Sequence, residues 1–202
     1  PVRPEVIAAR AVPFIADAPR LRLLVTGGSQ GASILSQVVP AAVAALPAAL
    51  RARLDVVHQA RDEDAAAVTA AYRAAGIAPT VAAYFVDLPA EIAASHVVIA
   101  RAGASTVAEL AVAGRPSILV PLPHSLDSDQ LENASSLAES GGSWCIEQRD
   151  LTPLRLATEL GKLFDSPETL VTAAARAKAQ GQASAVGMLA DLVEDVIGKR
   201  SA

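Results

Sequence analysis

Six short runs of apolar, often β-branched residues recur along the 202-residue chain. Each run is followed by a turn of small or polar residues. Runs of this length bounded by turn residues are typical of buried β-strands. The pattern predicts strands at Leu21–Thr26, Leu54–His58, Thr80–Tyr84, His96–Ala100, Ser117–Val120 and Ser143–Ile146.

Alanine-rich stretches with helical spacing separate these runs. The helices predicted between strands are Ala32–Ala45, Asp62–Ala75, Leu88–Ala94, Thr106–Ala113 and Gln130–Ser140. Pro40 is expected to kink or divide the first of them, because proline lacks an amide donor and clashes with the preceding turn. From Pro153 onward the chain is expected to be helical, with breaks at Ser166-Pro167 and around Gly181–Gly187.

Strands that alternate with helices favour a parallel sheet with helices on both faces. No internal repeat and no Gly-, Ser- or Pro-rich linker divides the chain. We therefore predict one doubly wound, Rossmann-like α/β domain at 1–165, with a C-terminal helical extension of it at 166–202. Ligands of such sheets bind beyond the carboxyl ends of the strands, so the turns after each strand should carry the binding residues.

Composition argues against several classes of protein. The chain is 52% hydrophobic but only 3% aromatic, so its core is built mainly from small side chains. A net charge of −4 lacks the basic footprint of a nucleic-acid binder, and no such partner is expected. The single cysteine, Cys145, cannot form an internal disulfide and is predicted to be a small buried residue. No group of His and Cys has zinc spacing, and the most apolar window, Val38–Leu50, is too short and too interrupted by proline to span a bilayer.

The first predicted strand leads into the turn Gly27-Gly28-Ser29-Gln30-Gly31, and a helix is predicted directly after it. Glycines let the backbone approach a ligand closely, and the free amides at a helix N-terminus favour a phosphate. Ser29 and Gln30 add side-chain donors. These features predict a phosphate site at Gly28, Ser29, Gln30 and Gly31, with a tight turn that serves only packing as the alternative.

Two other phosphate-binding motifs fit this turn less well. Its G-G-x-x-G spacing differs from the G-x-G-x-x-G of dinucleotide-binding folds, and no carboxylate follows the second strand at His58-Gln59. The turn also lacks the lysine of a P-loop. An NAD-binding domain is therefore disfavoured, although it stays open.

The turn after the fourth strand runs from Arg101 to Glu109 through small residues. Ser105 or Thr106 is expected to cap the helix that follows. Glu109, in the first turn or so, could accept hydrogen bonds from the two vicinal hydroxyls of a ribose. It could equally be a capping-box partner, and the spacing leaves both interpretations open.

The loop after the fifth strand leads to Gln130 and Asn133, which share one face of a predicted helix. Amides both donate and accept, as the hydroxyls of a sugar require, although two amides on a solvated face are the alternative. Asp127-Ser128-Asp129 could hold a divalent cation, but capping of the helix is favoured and no metal is expected. A phosphate site, an acceptor for ribose hydroxyls and amides that could bind sugar hydroxyls together indicate a nucleotide-sugar site.

Four segments in this order resemble the MurG family of peptidoglycan glycosyltransferases, over Pro1 to about Ala190. They are Pro1-Val2-Arg3, GGSQGA, RAGASTVAEL and the D-x-x-Q-x-x-N-A segment at 127–134. The resemblance implies the donor-binding C-terminal half of a two-domain GT-B enzyme that transfers GlcNAc from UDP-GlcNAc to lipid I, giving lipid II. It implies no cofactor or metal, and peripheral attachment to the cytoplasmic face of the bacterial plasma membrane. Lipid I and the catalytic base would belong to the N-terminal half, so these 202 residues should bind donor without turning it over.

The resemblance also implies individual roles. Ser29 would contact the diphosphate with Arg3 nearby, the backbone at Phe85 would meet the uracil, and Gln130 and Asn133 would hold the GlcNAc hydroxyls. The segment that lines the nucleotide, with Glu109 on the ribose, would be Ala104, Ser105, Thr106, Val107, Ala108 and Glu109.

Some positions carry no catalytic role or depart from the family's pattern. No catalytic residue is expected in this chain: His58 and His96 are predicted to be packing or surface residues, and His124 is not expected to be the base. Many members have His where this chain has Asp129, and Gly where it has Arg61. A relative with another acceptor, a UDP-GlcNAc 2-epimerase of similar fold, and a non-catalytic binding domain stay open.

Overall fold

A computed structural model describes residues 2–28, 31–123 and 129–183. They contain one six-stranded sheet of order β3-β2-β1-β4-β5-β6, in which every pairing is parallel. The strands are β1 Leu21–Thr26, β2 Leu54–Gln59, β3 Thr80–Ala82, β4 Val97–Ala100, β5 Ser117–Leu119 and β6 Ser143–Cys145. The predicted doubly wound α/β fold is confirmed.

Helices connect successive strands and precede and follow the sheet. They are α1 Pro4–Ala9, α2 Ser33–Ala44, α3 Ala48–Arg51, α4 Asp62–Ala74, α5 Leu88–Ala94, α6 Ala104–Ala113, α7 Asp129–Glu139, α8 Pro153–Phe164 and α9 Pro167–Gln180, with a short 3-10 helix at Gln148–Asp150. The predicted break at Ser166-Pro167 separates α8 from α9. The helix α9 ends at Gln180, where the second break is predicted to begin. The predictions for His124 and Asp127, and for the break from 184 to 187, lie outside the described residues.

Two apolar clusters hold helices to opposite faces of the sheet. On one face α2 packs against α4 and α8, and on the other α6 packs against α1, α5, α7 and α9. Successive side chains of β1 point to opposite faces of the sheet, so Leu23 and Val25 belong to the first cluster and Leu24 to the second. All three side chains are inaccessible to solvent, as expected for a central parallel strand.

Several predicted boundaries were wrong, for identifiable reasons. The helix α2 runs through Pro40 without division. Pro40 is itself buried, so tertiary packing outweighs the lost hydrogen bond. The third strand ends at Ala82 instead of Tyr84, whose side chain is 69% exposed, because the chain leaves this edge of the sheet early.

Arg115 fixes the segment before β1 to the fold. It is 2% exposed, and its guanidinium donates to the carbonyl oxygens of Ala93 at 2.8 Å and Val12 at 3.1 Å. The cation also lies 5.5 Å from the ring centroid of Phe14. A buried cation is tolerated here because carbonyl oxygens replace its hydration.

His58 is buried inside β2, in agreement with its predicted packing role. Its Nδ1 lies 2.9 Å from the hydroxyl of Tyr72, and within the described ranges its Nε2 has no hydrogen-bond partner. Burial lowers the pKa of His58 to about 4, because the charged ring would lose its hydration.

The low pKa of His58 makes the free energy of unfolding depend on pH. Between about pH 6.5 and pH 4 the unfolded chain binds a proton at this ring while the folded chain does not. The free energy of unfolding therefore decreases as the pH is lowered through this window. We expect this group to contribute a loss of about 3 kcal/mol across that window, measured by urea unfolding. His58→Asn should flatten this part of the profile.

Tyr72→Phe is the matched control for this prediction. It removes the hydrogen-bond partner but leaves the buried ring, so the slope between pH 6.5 and 4 should persist. Equal slopes in wild type and His58→Asn would show that another group titrates.

Candidate functional site

A cavity of about 540 Å³ opens at the carboxyl ends of the central strands. It lies where the sheet order reverses, between β1 and β4, because the connections from these strands run toward opposite edges. Doubly wound sheets bind ligands at this point. The described lining residues are Gly27, Gly28, Gly31, Arg101, Gly103, Ala104, Ser105, Thr106, Leu122 and Gln130.

The cavity thus brings together residues from all three turns singled out in the sequence. Gly28 and Gly31 come from the turn after β1, and Gln130 comes from α7. Ser29 and Gln30, the predicted side-chain donors, lie outside the described residues. Gly28 and Gly31 have φ angles of 74° and 68°, a left-handed conformation that strains any residue with a Cβ atom.

A buried hydrogen-bond network holds the glycine turn in place. Thr26 donates from Oγ1 to Oε1 of Gln59 at 2.6 Å, and Gln59 donates from Nε2 to the carbonyl oxygens of Gly28 at 3.1 Å and Ala83 at 3.2 Å. The amide of Gly28 in turn donates to Thr26 Oγ1 at 3.3 Å. Gln59 therefore joins the glycine turn to the segment that leads from β3 to Phe85.

The second turn places the N-terminus of α6 at the cavity. The helix begins at Ala104 after the extended residue Gly103, and no side chain caps it. The predicted cap by Ser105 or Thr106 was therefore wrong, because the helix starts two residues earlier and both residues lie within its first turn. Amides of a first turn have no acceptor within the helix, so they are available to a ligand.

Glu109 lies one turn further along α6 and is paired with Arg3. Arg3 donates from Nε and Nη2 to the two carboxylate oxygens, at 3.0 and 3.1 Å. The carboxylate side chain is 11% exposed and the arginine side chain 47%. This hydrogen bond raises the pKa of the Arg3 guanidinium. Glu109 is the sixth residue of α6, and a capping box uses the third, so the capping-box interpretation is excluded.

The two amides of α7 are oriented by backbone groups of the neighbouring turns. Oε1 of Gln130 accepts from the amide of Leu122 at 3.1 Å, and Nδ2 of Asn133 donates to the carbonyl oxygen of Ala102 at 3.1 Å. Asp129 accepts from the amide of Gln130 at 2.7 Å, as expected of a residue near a helix start. The pair is therefore more than a solvated helix face.

The remaining predicted residues are not among the described residues that line the cavity. Phe85 and Val107 are partly buried against the second core cluster, and Ala108 is partly exposed on α6. Arg61 packs against Gly31, since a Cβ added to that glycine would lie 2.6 Å from Arg61 Cγ. The charge of Arg61 is already paired with Glu63 and Asp64.

Arg101 is the one cavity residue whose chemistry the sequence interpretation missed. It carries the only formal charge among the described lining residues. It donates to the carbonyl oxygens of Val120 and Pro121, each at 3.1 Å, and to Oε1 of Gln148 at 2.6 Å. A cation directly after an apolar strand, at the carboxyl edge of the sheet, was the available signal.

Other features of the described residues do not compete with this site. A cavity of about 650 Å³ between β6, α8 and α9 is larger, but none of its lining residues comes from the turns after β1, β4 or β5. Among the residues described, no group of three His, Cys, Asp or Glu side chains could hold a metal ion. In the same residues no helix is long and apolar enough to cross a membrane.

The Gln59 network generates a stability prediction. Gln59→Met should leave the Thr26 hydroxyl and the Gly28 and Ala83 carbonyls without this partner. We expect the free energy of unfolding to fall by about 2–4 kcal/mol, measured in urea, since each buried polar group left unpaired costs about 1–3 kcal/mol. The exposed Gln37 on α2 is the matched control, because Gln37→Met should change stability by less than about 0.5 kcal/mol. An equal effect of both substitutions would contradict the role of the network.

Comparison with known proteins gives a consistent result. A 58% identical relative from Methylobacterium nodulans and a 49% identical relative from Brucella suis align with 96% and 100% of this chain and with 52% and 54% of their own lengths. Both are named UDP-N-acetylglucosamine--N-acetylmuramyl-(pentapeptide) pyrophosphoryl-undecaprenol N-acetylglucosamine transferase. The chain spans about half the length of these relatives.

Solved structures agree with the fold. The crystal structure of MurG from Acinetobacter baumannii is 31% identical and superposes with a TM-score of 0.79 over 87% of this chain and 52% of that one. The glycosyltransferase VinC, 24% identical with a TM-score of 0.60 over 92% of this chain and 45% of its own, shares the fold. The family model described as the glycosyltransferase family 28 C-terminal domain matches residues 22–189. The chain therefore belongs to the glycosyltransferase family 28 C-terminal domain family, and the resemblance found in its motifs is confirmed.

Proposed function

We propose that this chain is the donor-binding half of an enzyme that transfers GlcNAc from UDP-GlcNAc to lipid I, forming the lipid II of peptidoglycan synthesis. The observation that carries the proposal is the cavity between β1 and β4, where a glycine turn and the N-terminus of α6 face each other. The names of the 58% and 49% identical relatives support the same reaction. Both names specify an acceptor linked to undecaprenol, which supports action at a membrane. The proposal places this action at the cytoplasmic face of the bacterial plasma membrane, with peripheral attachment.

The proposed chemistry is an inverting transfer in which UDP leaves. An acceptor hydroxyl attacks the anomeric carbon from the face opposite the diphosphate, and negative charge grows on the leaving group. Amides of the glycine turn and of the first turn of α6 stabilise that charge because they need no reorganisation. Fixed donors of this kind can replace a metal ion, so the proposal includes none. The catalytic base and the lipid I site belong, in this proposal, to sequence beyond this chain.

Individual residues are assigned as follows. Ser29 contacts the diphosphate with Arg3 near it, Phe85 meets the uracil through its backbone, and Gln130 and Asn133 hold the GlcNAc hydroxyls. Glu109 accepts from the ribose hydroxyls. Its pairing with Arg3 is compatible with this role, because a carboxylate has about four lone-pair sites and a bidentate guanidinium uses two of them.

Titration of the 202-residue chain with UDP-GlcNAc, UDP-GalNAc and NAD tests the proposal directly. UDP-GlcNAc should bind most tightly, and incubation with lipid I should give no lipid II. A thermal shift with NAD but not with UDP would support a dinucleotide-binding domain. Conversion of UDP-GlcNAc to its C2 epimer UDP-ManNAc would support the 2-epimerase.

Replacement of Glu109 tests the ribose assignment. Glu109→Ala should weaken UDP binding by about 1–3 kcal/mol, measured by calorimetry, because two ribose hydroxyls lose their acceptor. Glu139→Ala, which removes an exposed carboxylate from α7, should leave the affinity unchanged. Unchanged UDP affinity in Glu109→Ala would remove the ribose contact from the proposal.

Replacement of Gln130 tests the sugar assignment. Gln130→Ala should weaken UDP-GlcNAc binding by about tenfold, the loss of one or two hydrogen bonds, while UDP binding stays nearly constant. Glu132→Ala, on an exposed position of the same helix, is the control and should alter neither affinity. Equal losses for UDP and UDP-GlcNAc would show that Gln130 shapes the nucleotide site instead.

A further inference from the structure

We propose that Arg101 is the cation that pairs with the diphosphate of the bound nucleotide sugar. This inference rests on the function proposed above and adds a residue to which no role has been assigned. It starts from the position of Arg101 at the reversal point of the sheet.

The backbone of Arg101 lies beside the glycine turn. Its amide is 3.4 Å from the carbonyl oxygen of Thr26, the residue that directly precedes Gly27. Two residues further on, Gly103 precedes the first turn of α6. Arg101 is thus located between the glycine turn and the N-terminus of α6, and it lines the cavity with residues of both.

The charge of Arg101 is not compensated by the protein. Arg101 is only partly exposed to solvent. Over residues 2–28, 31–123 and 129–183, no carboxylate forms an ion pair with its guanidinium. Its three partners are two backbone carbonyls and an amide oxygen, which are neutral. Removing a cation from water without an anion is unfavourable, and burial lowers the pKa of Arg101 accordingly.

Arg101 also has donors to spare. Of the five N–H groups of a guanidinium, three are used by Val120, Pro121 and Gln148. Nε and one hydrogen of Nη2 donate to no acceptor in the described part of the chain. By contrast, Arg61 has ion-pair partners within its own helix region and Arg3 has Glu109.

The diphosphate is the part of a nucleotide sugar that matches this environment. Uracil, ribose and hexose are neutral, so none of them compensates a formal charge. A diphosphate offers several anionic oxygens, and hydrogen bonds between guanidinium and phosphate are among the strongest in proteins. Arg101 would therefore add a full positive charge that no carboxylate of the described residues already pairs, in contrast to Arg3, whose charge is paired with Glu109.

A purely structural role is the alternative, since the guanidinium also joins the ends of β4 and β5 to Gln148. The two roles differ in the ligand that responds. Loss of a phosphate partner affects UDP but not uridine, whereas a deformed cavity wall affects both. The ratio of the UDP affinity to the uridine affinity, measured by calorimetry and NMR titration, separates the two cases.

Arg101→Gln and Arg101→Lys test the charge against the hydrogen bonds. Gln keeps amide donors for the carbonyls but removes the charge, so the UDP-to-uridine ratio should fall about 10- to 100-fold. Lys keeps the charge but loses the planar pair of N–H donors with which a guanidinium binds two phosphate oxygens, so the ratio should fall less than about tenfold. Arg149→Gln, which removes a guanidinium whose side chain is 75% exposed, should leave the ratio unchanged.

Each outcome decides the proposal. An unchanged ratio in Arg101→Gln, with or without weaker binding of both ligands, would overturn it. An equal fall of the ratio in the Lys and Gln variants would show that the arrangement of the N–H donors matters and the charge does not. This result would also overturn the proposal. A wild-type chain that binds UDP no better than uridine would instead refute the phosphate seat of the proposed function. Circular dichroism establishes whether each variant is folded. If Arg101→Gln does not fold, the UDP-to-uridine ratio of Arg101→Lys decides the proposal.

Discussion

The parallel pairing of β1 with both β2 and β4 is the constraint on which the rest of the molecule depends. Because β1 has neighbours on both sides, the chain must leave it toward one edge and leave β4 toward the other. The helices that follow these strands then cover opposite faces, and their N-termini separate above the sheet. The candidate site is the gap that this separation creates, so its location follows from topology before any side chain is considered.

Hydrogen bonds to backbone groups then give the gap its shape. Gln59 holds the turn after β1, Asn133 holds the turn after β4, and Arg101 holds the chain after β5. Each of these polar side chains reaches a carbonyl of a neighbouring turn that is remote in sequence. Small residues line most of the cavity, while the longer polar side chains hold the turns in position. Rigidity and openness are therefore supplied by different residues.

Much of this could be predicted from the sequence, and what could not has physical reasons. Apolar runs identified all six strands, and the glycines and small residues identified two of the three turns, because backbone requirements restrict local composition. Pro40 does not divide α2, since its cost is local and the packing that offsets this cost is not. The start of α6 was misplaced because Gly103 satisfied the N-cap geometry without the side-chain oxygen that is normally sought. The pairing of Arg3 with Glu109 spans 106 positions and leaves no local trace.

The two outermost strands carry a consequence of a different kind. Both β3 and β6 are only three residues long. A sheet edge with so few unpaired amides and carbonyls offers little template for a strand from another molecule, which is how many natural sheets resist aggregation. In this open, fully parallel sheet, the short edge strands thereby limit pairing with another molecule at both edges. Charged residues that point inward from the edge strands are not needed for this.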